Sequence, residues 1–376
     1  MLVALLSTRT WKAHSFAYPI RSFERQLADL DIRVVYHYRM TPALFDADVV
    51  CIDSEVCNKR RGNPMPYGKS DLVARAREGS EVLVWFDTAD HTGGTAFQLL
   101  GDLDLYCKSQ LFRERDIHLR SWYADRIFAQ YYHREAGVDE PGAPPTRVPA
   151  HPAQLDKLAV SWNLGLSDFT TFSANGRRWR VLTRRSGYGE RAGLSPGSRD
   201  LDVALRLRTR YGLATVTHHR SEAVRRIRAF AEGTDRTVSP DGKLSYRKYR
   251  DEMGRAKVVP SPFGSGEICY RDFECFLSGA TLVKPDMDHV DTWPSFYEAD
   301  VTYAKHRWDF EDLEEVLAGL LNDSSRAHDI AVAGQERFLA ARSDSGGERF
   351  AKHFQMLMER AQRSAGKGES AEPLAS

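Results

Sequence analysis

Short apolar runs alternate with amphipathic stretches along the first part of the chain. Residues 2–6, 32–38, 48–52, 81–86 and 103–107 are compact apolar runs, several rich in β-branched or aromatic side chains, and predict strands. Between them, 16–30 carries Phe16, Ile20, Phe23, Leu27 and Leu30 at helical spacing, and 70–78 also reads as a helix. Strands alternating with helices predict a parallel sheet covered on both faces.

Glycine and proline then crowd residues 137–154, with Gly137, Pro141, Gly142, Pro144, Pro145, Pro149 and Pro152. Proline fixes φ and lacks an N–H, so this stretch continues neither a helix nor a central strand and predicts an interdomain linker. A second alternation follows it. Residues 158–162, 201–207, 257–263 and 280–284 predict strands, and 218–231, 246–255 and 267–278 predict helices. In 310–322 the residues Leu313, Val316, Leu317 and Leu320 form an apolar stripe. Helices at about 326–341 and 347–362 come next, and the small polar tail from Ser364 predicts disorder. The expected fold class is α/β, with two Rossmann-like domains facing a central cleft. Domain boundaries are expected at 1–150 and 151–345, then a helix at 346–363 and a tail at 364–376. Ligands in open parallel sheets bind at the carboxyl ends of strands, so the loops that follow strands carry the candidate chemistry.

The chain has 376 residues, a length that suits two domains with separate cores. Its 53 Lys and Arg nearly cancel its 52 Asp and Glu, which gives no reason to expect nucleic acid as a partner. Most cations are Arg, whose planar fork suits phosphate. The five cysteines, Cys51, Cys57, Cys107, Cys269 and Cys275, include no C-x-x-C pair and are odd in number. Free thiols in a reducing cytoplasm are expected, not zinc ligands or disulfides. The opening apolar run is too short for a signal segment, and no window reaches the roughly 18 apolar residues of a membrane span. A cytoplasmic location is expected, with contact at the inner membrane face left open.

Residues 257–285 carry the most specific signal. A strand runs into Gly264-Ser265-Gly266 and then a helix. Glycines at such a turn let a ligand approach the backbone, and the free N–H groups of the new helix favour an anion such as a diphosphate. The same glycines also fit a plain tight turn. On a helix from 267, Glu267, Arg271, Glu274 and Ser278 share one face. That face is either solvated or the lining of a donor pocket, where a carboxylate binds a ribose diol and an Arg neutralises phosphate.

The run Tyr270-Arg271-Asp272-Phe273-Glu274-Cys275-Phe276-Leu277-Ser278-Gly279 resembles the R-x-F-E-A-x-x-x-G signature of the group 1 glycosyltransferase superfamily. It is most similar to the spore-maturation glycosyltransferase-like branch. The resemblance covers about 240–360 and is faint before 235. It implies a GT-B fold, an acceptor domain followed by a donor domain, and a last helix that packs back on the first domain. It implies that Glu274 holds the donor ribose and that Arg271 lies near the phosphates. Many retaining members carry two Glu with seven residues between them. Here six separate Glu267 from Glu274, and Gly266 stands at the first position. The double-carboxylate site is therefore not carried over.

Other candidates follow strands too. Asp87, Asp90 and His91 lie after the 81–86 strand and are either an acceptor-side base or loop residues that cap the next helix. His14 follows the first strand, and Arg220 opens a helix from which it can reach phosphate. Asp286, Asp288 and His289 either touch the sugar or form a solvated loop. The stretch 62–70 is not a P-loop, because five residues separate Gly62 from Gly68 and two prolines remove N–H donors.

The expected function is glycosyl transfer from a nucleotide-diphosphate sugar to a hydroxyl of a glycan, lipid-linked or small-molecule acceptor, in bacterial polysaccharide biosynthesis. Expected donor-binding residues are Gly264, Ser265, Gly266, Tyr270, Arg271, Glu274 and Arg220, and expected catalytic residues are Asp87, Asp90 and His91. No metal or cofactor is expected. The alternatives are a nucleotide-sugar epimerase on the same scaffold and a noncatalytic nucleotide-sugar-binding protein.

Overall fold

The computed structural model describes residues 1–58, 67–142, 147–168, 199–240, 242 and 244–369. The first sheet contains β1 (Leu2–Leu6), β2 (Arg33–His37), β3 (Val49–Asp53), β4 (Leu83–Asp87) and β5 (Leu105–Lys108). After β6 (Gln110–Phe112), β7 (Leu158–Val160) completes it. All neighbours pair in parallel, in the order β2-β1-β3-β4-β5-β7. β3, β4 and β5 are buried along their whole length, as strands covered on both faces must be.

β7 corrects the expected division of the chain. Residues 158–162 were expected to open the second domain, but β7 pairs with β5 and closes the first sheet. The proline-rich stretch before it is therefore a long excursion of the first half. The 16–30 helix is also divided, into Trp11–Phe16, Tyr18–Ser22 and Glu24–Ala28. Pro19 lacks an N–H and is tolerated only in a first turn, so the helical spacing continues while the helix restarts.

The second sheet has β8 (Leu201–Val203), β9 (Ala256–Pro260), β10 (Thr281–Pro285) and, after β11 (Val290–Thr292), β12 (Ala304–His306). It too is parallel, in the order β12-β10-β9-β8. Two parallel α/β units are thus present, as the expected fold class requires.

The halves are joined by more than the chain. β6 of the first half and β11 of the second form an antiparallel ribbon, with Leu111 opposite Asp291. The helix Ile127–Ala136, which the sequence pattern did not reveal, packs on the helix Ala214–Thr234. There the Tyr132 hydroxyl lies 2.6 Å from His219 Nδ1 and donates to the Trp308 carbonyl at 2.7 Å. The last helix, Asp344–Glu369, lies against the first half. Phe350 meets Phe23 and Trp162, and His353 Nε2 lies 2.6 Å from the Ser161 carbonyl. This helix runs on past Ser364, where disorder was expected, and residues 370–376 lie outside the described residues. No helix among the described residues is long and apolar enough to cross a membrane.

Candidate functional site

The second sheet reverses its direction of growth at β8. Val238 bridges to Val203 on one side of β8, and the chain then returns to β9 on the other. The crevice beyond the carboxyl ends of such strands is where open α/β sheets take ligands. Arg206, Arg208 and Arg210 follow β8, the turn Gly264-Ser265-Gly266 follows β9, and Arg220 and Arg271 reach in from two helices.

The partners of these arginines set the chemistry of the crevice. Arg220 is 6% exposed and donates to the carbonyls of Phe263 at 3.0 Å, Pro262 at 3.3 Å and Arg208 at 2.6 Å. Arg271 donates through Nη2 to the Arg206 carbonyl, stacks on Tyr249, and keeps Nη1 buried without a partner. The guanidinium groups of Arg208 and Arg220 lie 5.0 and 5.1 Å from the centre of the Tyr211 ring. Among the described residues, Arg208, Arg220 and Arg271 bond to carbonyls and rings, not to carboxylates. Burial, with Arg271 nearby, lowers the Arg220 pKa. Arg206 differs, being bidentate to Glu252 through two 2.7 Å bonds.

Gly264 faces this group. A Cβ built there would lie 3.6 Å from Arg220 Nη1 and 3.8 Å from the Tyr211 hydroxyl. Glu274 is buried on the helix Tyr270–Ser278 and accepts from the Tyr249 hydroxyl at 2.8 Å. Burial raises its pKa, against the opposing pull of Tyr249 and Arg271. Gly264, Arg220, Arg271 and Glu274 are thus brought to one crevice.

Two expectations about this segment are corrected. The helix starts at Tyr270, not at 267, so Glu267 does not share its face. The helix N-terminus is also already occupied by the protein's own acid. Buried Asp272 accepts from Cys269 N at 3.1 Å, Ser261 Oγ at 2.5 Å and Tyr297 Oη at 2.8 Å, and pairs with buried Lys284 at 3.2 Å. A carboxylate in the first turn offsets the helix dipole.

Glu267 turns instead to the first half. It is fully buried and accepts from Thr92 Oγ1 at 2.6 Å, Thr92 N at 3.1 Å and Gln110 Nε2 at 2.9 Å. A Cβ on Gly266 would fall 1.4 Å from the Asp90 carbonyl oxygen, so only glycine fits there. The Ser265 carbonyl accepts from Arg126 Nε at 2.7 Å, and the Tyr270 ring lies 6.4 Å from that of Trp11. The turn is therefore divided: Gly264 faces the arginines, while Ser265, Gly266 and Glu267 seat the loop of the first half.

The three expected catalytic residues are placed differently from one another. Asp87, at the end of β4, is buried and accepts five bonds, from Tyr106 Oη, Lys108 Nζ, Thr95 N, Thr95 Oγ1 and Ala89 N. Burial alone would raise its pKa, but Lys108 and these donors hold it well below the carboxylate range. Four of the five donors converge on Oδ2, and the depressed pKa and burial make this carboxylate a poor base. His91 is buried, and burial followed by the charges of Arg126 and Lys108 keeps its imidazole neutral. Asp90 alone is exposed, 3.8 Å from Lys12. His14 Nδ1 lies 3.0 Å from Arg21, Asp286 and Asp288 pair with Lys305, and His289 lies 3.7 Å from Glu267.

One residue was missed. Asp53 ends β3, and Ser7 follows β1, the two strands between which the first sheet reverses direction. The Ser7 hydroxyl donates to the Asp53 carboxyl at 2.9 Å. Burial pushes the Asp53 pKa up to about 7, outweighing the Glu55 N–H and the Ser7 hydroxyl. An acid closing an otherwise apolar strand, Val-Val-Cys-Ile-Asp, was the available signal.

No family model and no curated protein matches the chain. Among solved structures it is similar to an alpha-glucosyltransferase in complex with UDP, with a TM-score of 0.44 and 9% identity over 95% of this chain and 99% of that one. It is similar to T4 phage beta-glucosyltransferase, with a TM-score of 0.42 and 10% identity over 96% and 100%. A third is Anabaena HepE in complex with UDP, with a TM-score of 0.39 and 11% identity over 93% and 97%.

Proposed function

We propose that this chain is a glycosyltransferase that takes a nucleotide-diphosphate sugar as donor and a hydroxyl of a glycan, lipid-linked or small-molecule acceptor as its partner. The observation that carries the reading is the group of arginines without acid partners at the carboxyl ends of β8 and β9. Arg220 and Arg271 are largely removed from water, and among the described residues no carboxylate is in hydrogen-bond contact with either, Asp272 and Glu274 acting on them only through space. Buried charge is retained where something offsets it, and a diphosphate offsets two guanidinium groups through charge-assisted bonds.

The donor diphosphate would lie at Gly264, where a missing side chain leaves the backbone open, with Arg220, Arg271 and Arg208 around it. Glu274 would take the ribose hydroxyls with Tyr249 as its support. As the nucleotide diphosphate departs, the arginines stabilise the charge that develops on it. On the acceptor side the exposed Asp90 is the proposed base, because Asp87 is buried with its pKa held low by Lys108 and His91 is buried. Asp87 and His91 then position the loop that presents it.

Calorimetric titration with nucleoside diphosphates tests this reading. Arg271→Ala is expected to weaken binding roughly 10- to 100-fold, the worth of about 1.5–3 kcal/mol for a bond to a charged group. Glu274→Ala is expected to weaken nucleoside diphosphates but not inorganic pyrophosphate. Equal affinity in wild type and Arg271→Ala for every nucleotide tried would sink the assignment. Nucleotide release that needs an added acceptor separates transfer from epimerisation.

A further inference from the structure

One helix of the first half, Ile127–Ala136, meets the donor turn from both sides of Gly264. Arg126 stands at its start, and Phe128 and Tyr132, four apart, share one of its faces. Arg126 Nε donates to the Ser265 carbonyl at 2.7 Å, and the Phe128 ring lies 5.1 Å from that of Phe263.

Tyr132 reaches the same turn through a second side chain. His219 is fully buried on the helix Ala214–Thr234, and its Nε2 accepts from Phe263 N at 2.9 Å. A ring nitrogen that accepts carries no proton. Burial first, then His306 and Arg220, lower the His219 pKa well below its ordinary value, so the ring is neutral and its one proton is on Nδ1. Nδ1 therefore donates to Tyr132 Oη at 2.6 Å, and the Tyr132 hydroxyl donates to the Trp308 carbonyl at 2.7 Å. The chain of bonds has one direction, from the Phe263 N–H to the Trp308 carbonyl. The opposite tautomer would set two N–H groups against each other at Phe263.

The next residue holds the other end of Phe263. Arg220 Nη1 donates to the Phe263 carbonyl at 3.0 Å. Residues 219 and 220 thus fix both the N–H and the carbonyl of the residue before Gly264, and the rings of Phe128, His219 and Trp308 surround its side chain. A glycine turn has more backbone freedom to lose on binding than any other, and fixing it beforehand spares that cost.

We propose that Tyr132 and His219 are positioning residues for the donor turn, through which the first half fixes the backbone that receives the diphosphate. The proposal rests on the donor reading of the crevice and adds that the first half completes the donor site. Donor affinity is then coupled to the packing of one half on the other, with a single imidazole tautomer as the link.

The test combines calorimetry with nucleoside diphosphates and nitrogen NMR of the imidazole rings, both on the full chain. In wild type the His219 ring is expected to show Nδ1 protonated and Nε2 bare at neutral pH. Tyr132→Phe keeps the packing but strands the Nδ1 proton, and should weaken nucleotide binding several-fold. His219→Gln keeps an acceptor for Phe263 N, whereas His219→Leu keeps only bulk. The Leu variant should weaken binding roughly tenfold and the Gln variant roughly threefold at most. A protonated Nε2 in wild type, equal weakening by Gln and Leu, or wild-type affinity in Tyr132→Phe would each overturn the proposal. Tyr132→Phe decides it if the Leu variant does not fold. Absence of nucleotide binding in wild type would instead strike the donor reading, whatever tautomer the ring shows.

Discussion

The two parallel sheets end in opposite kinds of charge. At the carboxyl ends of β4 and β5, Asp87 and Lys108 meet each other at 3.2 Å, and four further donors reach the aspartate. At the carboxyl ends of β8 and β9, Arg208, Arg220 and Arg271 meet carbonyls and rings. Both sets sit where α/β sheets bind ligands, so position alone does not separate them. Compensation does. A charge whose partners are all protein groups holds the fold, and a buried charge left without an opposite charge is a place for a ligand.

The strongest way to break that contrast is to remove Asp87. Lys108 is fully buried and would lose its counter-charge. Breaking such a pair costs about 3–5 kcal/mol, and each kcal/mol lowers the melting temperature of a domain this size by roughly 2–4 °C. Asp87→Ala is therefore expected to melt far below wild type in calorimetry while the fraction that remains folded binds nucleotide normally. A variant with wild-type stability and lost transfer would return Asp87 to the catalytic role and undo the distinction.

The divided glycine turn sharpens the contrast over three residues. A Cβ on Gly266 meets the Asp90 carbonyl at 1.4 Å, and backbone cannot step aside as a side chain can. Gly266→Ala should cost about 1–3 kcal/mol or more through overpacking, seen as a lower denaturant midpoint. A Cβ on Gly264 meets only Cys269 Sγ at 3.3 Å and Arg220 and Tyr211 beyond it. Gly264→Ala should leave the midpoint nearly unchanged and weaken nucleotide binding, because the methyl fills the space a diphosphate needs. The reverse pattern would place the donor on the wrong side of the turn.

Most of this was legible in the sequence, for identifiable reasons. The strands of both sheets are short, mostly apolar runs, and β3, β4 and β5 are buried on both faces. The helix Tyr246–Arg255 keeps its expected ends. What failed was pairing at a distance. β7 has three residues, and nothing in Leu-Ala-Val says that it returns to β5 and not to β8. β6 and β11 have no period of their own and exist because they face each other. Glu267 looked like a helix-face residue because a capping residue is invisible at that spacing; its three donors come from Thr92 and Gln110, far away in the chain. The pairing of Asp87 was hidden for the same reason, since Tyr106 and Lys108 reach it only once β4 and β5 are side by side.

The smallest expected effect compares two acids on neighbouring strands, Asp53 on β3 and Asp87 on β4. Both are buried, but burial outweighs the weak pull of Lys12 on Asp53 and its pKa rises to about 7, whereas Lys108 holds Asp87 low. Their pH linkages therefore have opposite signs. Between about pH 4 and 7 the folded chain keeps the Asp53 proton that the unfolded chain has released. The stability this gives is fully present below the ordinary carboxyl pKa and is lost as pH rises through about 7. Asp87 contributes stability above its ordinary pKa, lost as pH falls below it. Asp53→Asn removes the first slope and retains a carbonyl to accept from Ser7. Wild-type stability minus that of Asp53→Asn, from urea unfolding at successive pH values, should fall across pH 4–7 by at most about 1.4 kcal/mol per pH unit and level off above. A difference that is flat or rises over that range would mean Asp53 is ionised in the folded chain, and the carboxyl ends of the first sheet would then hold an uncompensated charge after all.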